Sequence, residues 1–597
     1  MSRALGPRAP VASSAAAPGW IVLGACWAVP GLALIPWAGA QAAAALAGGH
    51  VTGFGLAFCT DLAAGRTAAA WPGVPAPLVI ACTAVIALAL AAAIAGLWVR
   101  AAPRLLHAAD DPVAALHRGR RRHDPMTLPA VAQRATHLRP SLAGRPPGQV
   151  TGDDAGMLLG DLLRPGQPPG PAVYADWRDT EIDIMGPGAG KTTARAIPLV
   201  LAAPGPAVAT SNKPDLWAAT AAIRGRRGPV WLFDPCGICS QDQRFWVDIL
   251  APVTKVEPAN RLASHFVLTV EDPGKRELWG PAAQTLLSCL FLAAATSGRT
   301  LRDVAIWLDQ PAMPAPAGLL QKAGFWALAS SLTGTQNGAP ETRDGIYETA
   351  RTAAKALRDD EVIKWVTPQE GLPAFRPGSL LRGTGTLYLQ SESLSYAAPL
   401  IAAVADGVIR TGIRLAQMAG GRLDPPVPII LDEAANICRI ADLPNLYSYL
   451  GSHGLNPVTI LQSYEQGEVV WGQGGMAALW GAATCKLIGA GVDSPRLARD
   501  LATLVGQHDV PVKSITLGEG RGASESISLR RQDILEAADI AEIGKGLALL
   551  RTSGNRPALL QLRNWFTGPR AAEIGAEVDR ALQLIQAGAA ARGEVPL

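Results

Sequence analysis

One nine-residue run, Met185-Gly-Pro-Gly-Ala-Gly-Lys-Thr-Thr193, restricts what this chain can fold into more than any other feature. It follows a short apolar run, 182–185, and opens a helix-like run that continues to Val200. Gly186, Gly188 and Gly190 let the backbone turn tightly and approach phosphate oxygens. The loop N–H groups and the start of the following helix then form an anion cradle. Lys191 is placed to reach β- and γ-phosphates, and the Thr192 hydroxyl to ligate Mg2+. The expected nucleotide-binding set is Gly186, Gly188, Ala189, Gly190, Lys191, Thr192 and Thr193. The pattern G-x-x-x-x-G-K-[ST] is broken at one position, where Met185 replaces the first glycine. The competing reading is a glycine-rich turn that binds no nucleotide. The strand-before, helix-after context argues against it.

A second motif completes the chemistry. The apolar run 427–431 leads straight into Asp432-Glu433. Asp432 is expected at the strand's carboxyl end, in the outer shell of Mg2+, and Glu433 is expected to polarise the attacking water. Phosphoryl transfer asks the protein for positioning and charge neutralisation more than for covalent chemistry. Next, the apolar run 457–461 ends in Gln462, expected at the same edge of the sheet to sense the γ-phosphate or hold the water. The bland alternatives are a helix N-cap pair for Asp432-Glu433 and an ordinary strand-end turn for Gln462. Together the motifs nominate Glu433, Gln462 and Lys191 as catalytic residues, and Thr192 and Asp432 as the metal pair.

Composition bounds the rest. A chain of 597 residues exceeds a single core, so two or three domains are expected. Its net charge of +4 does not by itself announce nucleic acid. The eight cysteines are scattered and form no secreted disulfide framework. Cys236 and Cys239 form an isolated C-x-x-C, a poor zinc site without a second pair. No charged residue occurs between Arg8 and Asp61, or between Arg66 and Arg100. Two membrane spans are expected there, 20–40 and 78–99. The Arg cluster that follows (Arg100, Arg104, Arg118, Arg120, Arg121, Arg122) marks the cytoplasmic side, and Arg3 and Arg8 put the N-terminus there too. A cleaved signal peptide is the alternative for the first segment. In either case the second span leaves the remainder of the chain in the cytoplasm.

Residues 125–171 are rich in Pro, Gly and Arg and read as a linker. Beyond them, apolar strand candidates alternate with helical runs: 181–185, 207–210, 230–233, 385–390, 427–431, 458–461 and 486–489. This predicts an α/β fold with a buried parallel sheet. From 255 to 375 the spacing is mainly helical, as in 279–295 and 346–357, which predicts an all-α insertion. A last Ala-rich helix is expected with its core at 572–587.

With these residues in hand, the chain resembles the coupling proteins of bacterial type IV secretion systems, the TraG/TraD-like conjugative DNA-transfer ATPases. The resemblance runs from the two spans to about residue 566. Beyond the nucleotide motifs it includes Ala207-Val-Ala-Thr-Ser-Asn-Lys-Pro-Asp-Leu216, Val230-Trp-Leu-Phe-Asp-Pro235, Leu431-Asp-Glu-Ala-Ala-Asn436 and Ile460-Leu-Gln-Ser463. It implies a RecA-like P-loop NTPase domain interrupted by an all-α domain and preceded by two transmembrane helices. The corresponding division is a membrane anchor at 1–105, a basic juxtamembrane segment and linker at 106–172, and the nucleotide-binding domain at 173–254 and 376–568. The insertion occupies 255–375, and a helical tail 569–597. The resemblance further implies a multi-pass protein of the inner membrane with its ATPase in the cytoplasm. Six motors would surround a channel and use ATP and Mg2+ to drive single-stranded DNA, with its attached relaxase, toward the secretion channel components.

Three departures stand out. The turn that reads Asp-Pro-Lys-Gly in the family is Ser211-Asn212-Lys213-Pro214 here. The segment that carries a trans-acting Arg reads Gly451-Ser-His-Gly454. Arg439, Arg496 and Arg499 are then the alternative sources of such a residue, and His453 could serve only if protonated. With Met185, these changes keep two other functions open: an FtsK-like pump for double-stranded DNA, and a membrane receptor for protein substrates that uses ATP as a switch. For the channel lining, Lys513 and 518–528 are candidates, against the simpler reading of a plain hairpin loop.

Overall fold

The structure, a computed structural model, describes residues 33–107, 126–164, 168–270, 273–516 and 524–593. The chain divides into two units, Met1–Asp111 and Pro112–Leu597.

In the first unit, helices Ala33–Ala47 and Ala76–His107 cross at Gly39, where a Cβ would lie 2.7 Å from Thr83 Cα. Ala40, Ala43, Phe58, Trp71 and Val79 form its small core. One helix among the described residues, with its apolar window at Ala76–Ala93, is long and apolar enough to cross a membrane. It exposes Ile80, Val85, Leu88 and Leu90. The expected span 78–99 overlaps this candidate helix, and the other expected span is not confirmed among the described residues. The apolar helix Ala33–Ala47 is shorter, and the first part of the expected 20–40 span lies outside the described residues. So do the N-terminal arginines and the basic residues at 118–122.

The second unit carries fifteen described strands: β1 (Gly156–Leu162), β2 (Ala172–Asp176), β3 (Glu181–Ile184), β4 (Ala207–Ser211), β5 (Val230–Phe233), β6 (Trp246–Val247), β7 (Ala374–Phe375), β8 (Thr386–Gln390), β9 (Val427–Leu431), β10 (Leu455–Leu461), β11 (Cys485–Gly489), β12 (Gln507–Thr516), β13 (Ser524–Asp533), β14 (Leu547–Thr552) and β15 (Ala558–Gln561). Eleven of them form one sheet in the order β2-β1-β15-β14-β11-β3-β10-β9-β4-β8-β5. From β11 to β5 every neighbour is parallel. Every residue of β3, β4, β8, β9, β10 and β11 is buried. Burial on both faces is why several of them, β9 above all, read as nearly continuous apolar runs, while β3 carries the buried Glu181 and Asp183.

The other four strands are antiparallel additions. Residues 126–162, expected to be linker, instead form helix Leu128–Leu138 and β1. The glycines that suggested a loop serve the strand. A Cβ on Gly156 would lie 2.2 Å from the Ala175 carbonyl, and Gly160 (φ +151) sits at a bulge beside β15.

Between β5 and β8 the chain leaves the sheet, and β6 and β7 pair parallel as the stem of a helical excursion. The helices run from Val256–Val267 through Pro273–Ser297 to Pro340–Ala353. Trp231, Phe245, Trp365 and Phe375 pack edge-on at the stem, with ring centroids 5.1–6.1 Å apart. This joins the helical core to the sheet core. The tail forms helix Ala571–Ala591, tied to the sheet unit by Arg226, which pairs with Glu573 at 2.7 Å and Glu577 at 2.5 Å. β12 and β13 form a separate hairpin, and Lys513 lies on β12. Residues 517–523 are outside the described set.

Candidate nucleotide site

Parallel strands deliver their carboxyl ends to one edge, and that edge is where ligands bind in such sheets. β10 lies between β3 and β9. The glycine loop after β3, Asp432-Glu433 after β9 and Gln462 after β10 therefore meet.

Within the loop, each glycine has its own backbone reason. Gly188 and Gly190 have φ of +68° and +95°, which favour glycine. A Cβ on Gly186 would lie 2.7 Å from the Gly491 carbonyl. Met185 is buried, and its N–H donates to the Leu461 carbonyl at 3.0 Å. Its side chain fills the space left by Gly489, where a Cβ would lie 2.8 Å from Met185 Cγ. The missing first glycine is thus accommodated by a glycine on the neighbouring strand. Ala189 is buried within the loop. The following helix starts as a wide π turn, Lys191–Ala196, and continues as α-helix Ile197–Ala202.

The two motifs are in direct contact. The Thr192 hydroxyl donates to Asp432 Oδ2 at 2.8 Å. Lys191 Nζ donates to the Met185 and Gly186 carbonyls at 3.4 Å, and lies 3.4 Å from Glu433 Oε1. Gln462 Nε2 donates to both Glu433 oxygens, at 2.9 and 2.8 Å. Glu433 adopts φ 56°, ψ 38°, a left-handed conformation that costs a non-glycine residue free energy and is kept only where surroundings enforce it.

Asp432 is fully buried, and that burial is the main reason its carboxyl is pushed up to about 7. The Thr192 bond opposes the shift and the Glu433 charge adds to it. Its Oδ1 is buried with no hydrogen-bond partner. An orphaned carboxylate oxygen beside a threonine hydroxyl is a hard-oxygen donor set of the kind Mg2+ takes, so these residues fit that ion.

Three supporting residues escape motif reading. Thr210 donates its hydroxyl to the Asp432 carbonyl at 2.8 Å, and Asn436 donates to Glu433 Oε2 at 3.0 Å. Thr193 donates to Asn564 Oδ1 at 3.0 Å across 371 positions. Asn436, one helical turn after Glu433, was findable from its spacing. Asn564 left no local signal.

Of the other family-departure positions, Asn212 follows β4, the parallel neighbour of β9, and donates to Ser393 Oγ at 2.8 Å. Gly451 packs on the Arg178 backbone, where a Cβ would sit 2.0 Å from the carbonyl oxygen, so no larger residue fits. Its turn precedes β10, at the edge opposite Gln462. His453 faces the Tyr449 carbonyl at 3.0 Å. Arg439 donates to the Ala435 carbonyl, Arg496 to Glu468 at 3.3 Å, and Arg499 to the Pro495 carbonyl. Cys239 is buried, and Cys236 Sγ lies 3.4 Å from Ser395 Oγ.

Two families match the chain. The one described as Type IV secretory system Conjugative DNA transfer matches residues 169–313, which include the glycine loop. The one described as TraM recognition site of TraD and TraG matches residues 426–545, which include Asp432, Glu433 and Gln462. Among solved structures, the chain is similar to the plasmid coupling protein TrwB in complex with ADP and Mg2+, at 18% identity and a TM-score of 0.49. That similarity covers 66% of this chain and 87% of that one. It is also similar to unbound TrwB lacking its N-terminal segment (18%, TM-score 0.48, covering 65% and 85%). A third is VirB4 of Thermoanaerobacter pseudethanolicus (14%, TM-score 0.39, covering 70% and 98%). None of the curated proteins matches it.

Proposed function

We propose that this chain, a type IV coupling protein by its two family matches, hydrolyses ATP and spends each cycle delivering single-stranded DNA, with its attached relaxase, to a conjugation channel. The carrying observation is the contact of Thr192 with Asp432, 240 positions apart, beside Lys191 and Glu433.

The loop N–H groups and Lys191 bind the triphosphate, and Thr192 and Asp432 would hold Mg2+. When bound, that ion neutralises phosphate charge. Lys191 exchanges the Glu433 carboxylate for phosphate oxygens. Glu433, still oriented by Gln462 and Asn436, is then free to take a proton from the attacking water. Gln462 passes the change into β10 and the helix Tyr464–Ala482. Six copies surround a channel whose basic groups track DNA phosphates. The apolar N-terminal unit holds the ring in the inner membrane, with the ATPase on the cytoplasmic side.

The test is Lys191→Ala in the full chain. DNA transfer should be lost while membrane insertion persists, and ATP turnover of the unmodified protein should rise more with single-stranded than with duplex DNA. Transfer at wild-type frequency in the variant would favour the receptor reading. A duplex preference would favour the FtsK-like pump.

A further inference from the structure

The last strands of the sheet bring a second lysine to the glycine loop. β14 runs antiparallel to β11 with Ala548 opposite Gly489, so β14 begins at the edge where β11 and β3 end. β15 returns antiparallel with Gln561 opposite Leu547, so it ends at that same edge. Asn564, three residues on, receives the Thr193 hydroxyl. Lys545, two residues before β14, extends its ammonium to 3.7 Å from the position a Cβ on Gly188 would occupy, and no other atom outside the local backbone lies within 4 Å of that position.

Lys545 sits in a built turn. The Leu547 N–H donates to the Gly544 carbonyl at 3.1 Å, the Leu562 N–H donates to the Gly546 carbonyl at 2.8 Å, and Gly546 has φ +80°. The side chain is exposed, and it has no hydrogen-bond or ion-pair partner among the described residues. Lys191, by contrast, is buried and already in contact with Glu433. The arginines proposed from sequence are engaged with backbone carbonyls or with Glu468.

We propose that Lys545 is a second phosphate-binding cation of this site, gripping the phosphate chain from the open side of the loop while Lys191 holds it from within. The inference rests on the reading of the loop as an ATP site. An unpaired, exposed ammonium beside the bare backbone of Gly188 adds a charge-assisted contact at little desolvation cost. It also supplies from the chain's own tail a cation that the Gly451–Gly454 turn does not.

The test measures binding of a fluorescent ATP analogue, and ATP turnover, on full-length protein in detergent micelles. Wild type, Lys545→Ala, Lys545→Arg and Lys191→Ala are compared. Lys545→Ala should bind the analogue about tenfold more weakly, the size of one charge-assisted contact, with an unchanged melting temperature. Its KM for ATP should rise more than its kcat falls, and Lys545→Arg should restore binding. Unchanged affinity in Lys545→Ala, with binding lost in Lys191→Ala, overturns the inference and leaves the ATP site standing. A wild-type protein that binds no analogue overturns the ATP site and the inference together.

Discussion

Replacing Arg195 with Met should loosen the floor under the glycine loop. Arg195 lies one turn after Lys191 and is buried. Its guanidinium donates to Asp183 Oδ2 at 2.8 Å, to the Leu158 carbonyl at 2.6 Å and to the Glu181 carboxyl. Burial raises Glu181 well above the usual carboxylate range, against the opposing charge of Arg195. The Met variant strands Asp183, whose Oδ1 already lacks a partner. Breaking a buried ion pair from one side costs about 3–5 kcal/mol. The loss should therefore be about 3–5 kcal/mol at pH 7. Denaturant unfolding at pH 7, followed by tryptophan fluorescence, reads this out. A Met variant within about 1 kcal/mol of wild type would refute the reasoning.

Two further outcomes follow from the same geometry. Glu433→Gln keeps an oxygen facing Gln462 but cannot take a proton, so ATP turnover should fall at least about a hundredfold while nucleotide affinity holds. Turnover near wild type would remove Glu433 from the chemistry. Lys486 on β11 stands opposite Arg551, donates to the Ala483 carbonyl at 2.5 Å and lies 5.5 Å from the Trp480 ring centre. Burial first, and then the Arg551 charge, lower it to about 8. Its folded-state value is below the unfolded one, so its contribution to stability is present at high pH and is lost as pH falls through about 8. Lys486→Met should melt above wild type at pH 7, and the gap should narrow by pH 9.5. A gap independent of pH would contradict this.

Six of the seven parallel strands are buried along their whole length, and the most apolar of them, such as Val427-Pro-Ile-Ile-Leu431, were legible because they have no polar side. The antiparallel additions were not. β1 carries Gly156, Gly160 and Asp161, which read as loop chemistry until β2 and β15 are beside them. Asp161 is paired with Arg563 at 2.6 Å, and no local pattern announces a partner 402 positions away. The site divides the same way. Lys191, Thr192, Asp432, Glu433 and Gln462 stand in strand-end motifs whose convergence a parallel sheet dictates. The fit of Met185 against Gly489, and of Thr193 against Asn564, depends on which strands become neighbours, and periodicity carries no such information.

The strand order also sets when this protein can finish folding. β1, made early, reaches its inner neighbour only after the ribosome has passed Gln561, and β11 gains its outer neighbour only with β14. Through most of synthesis the β1 edge stays open to other chains, and closing it brings together segments some 400 positions apart, an intrinsically slow step. A premature stop before β14 therefore does more than shorten the tail, because it leaves the β1 and β11 edges permanently unpaired and the product prone to aggregate.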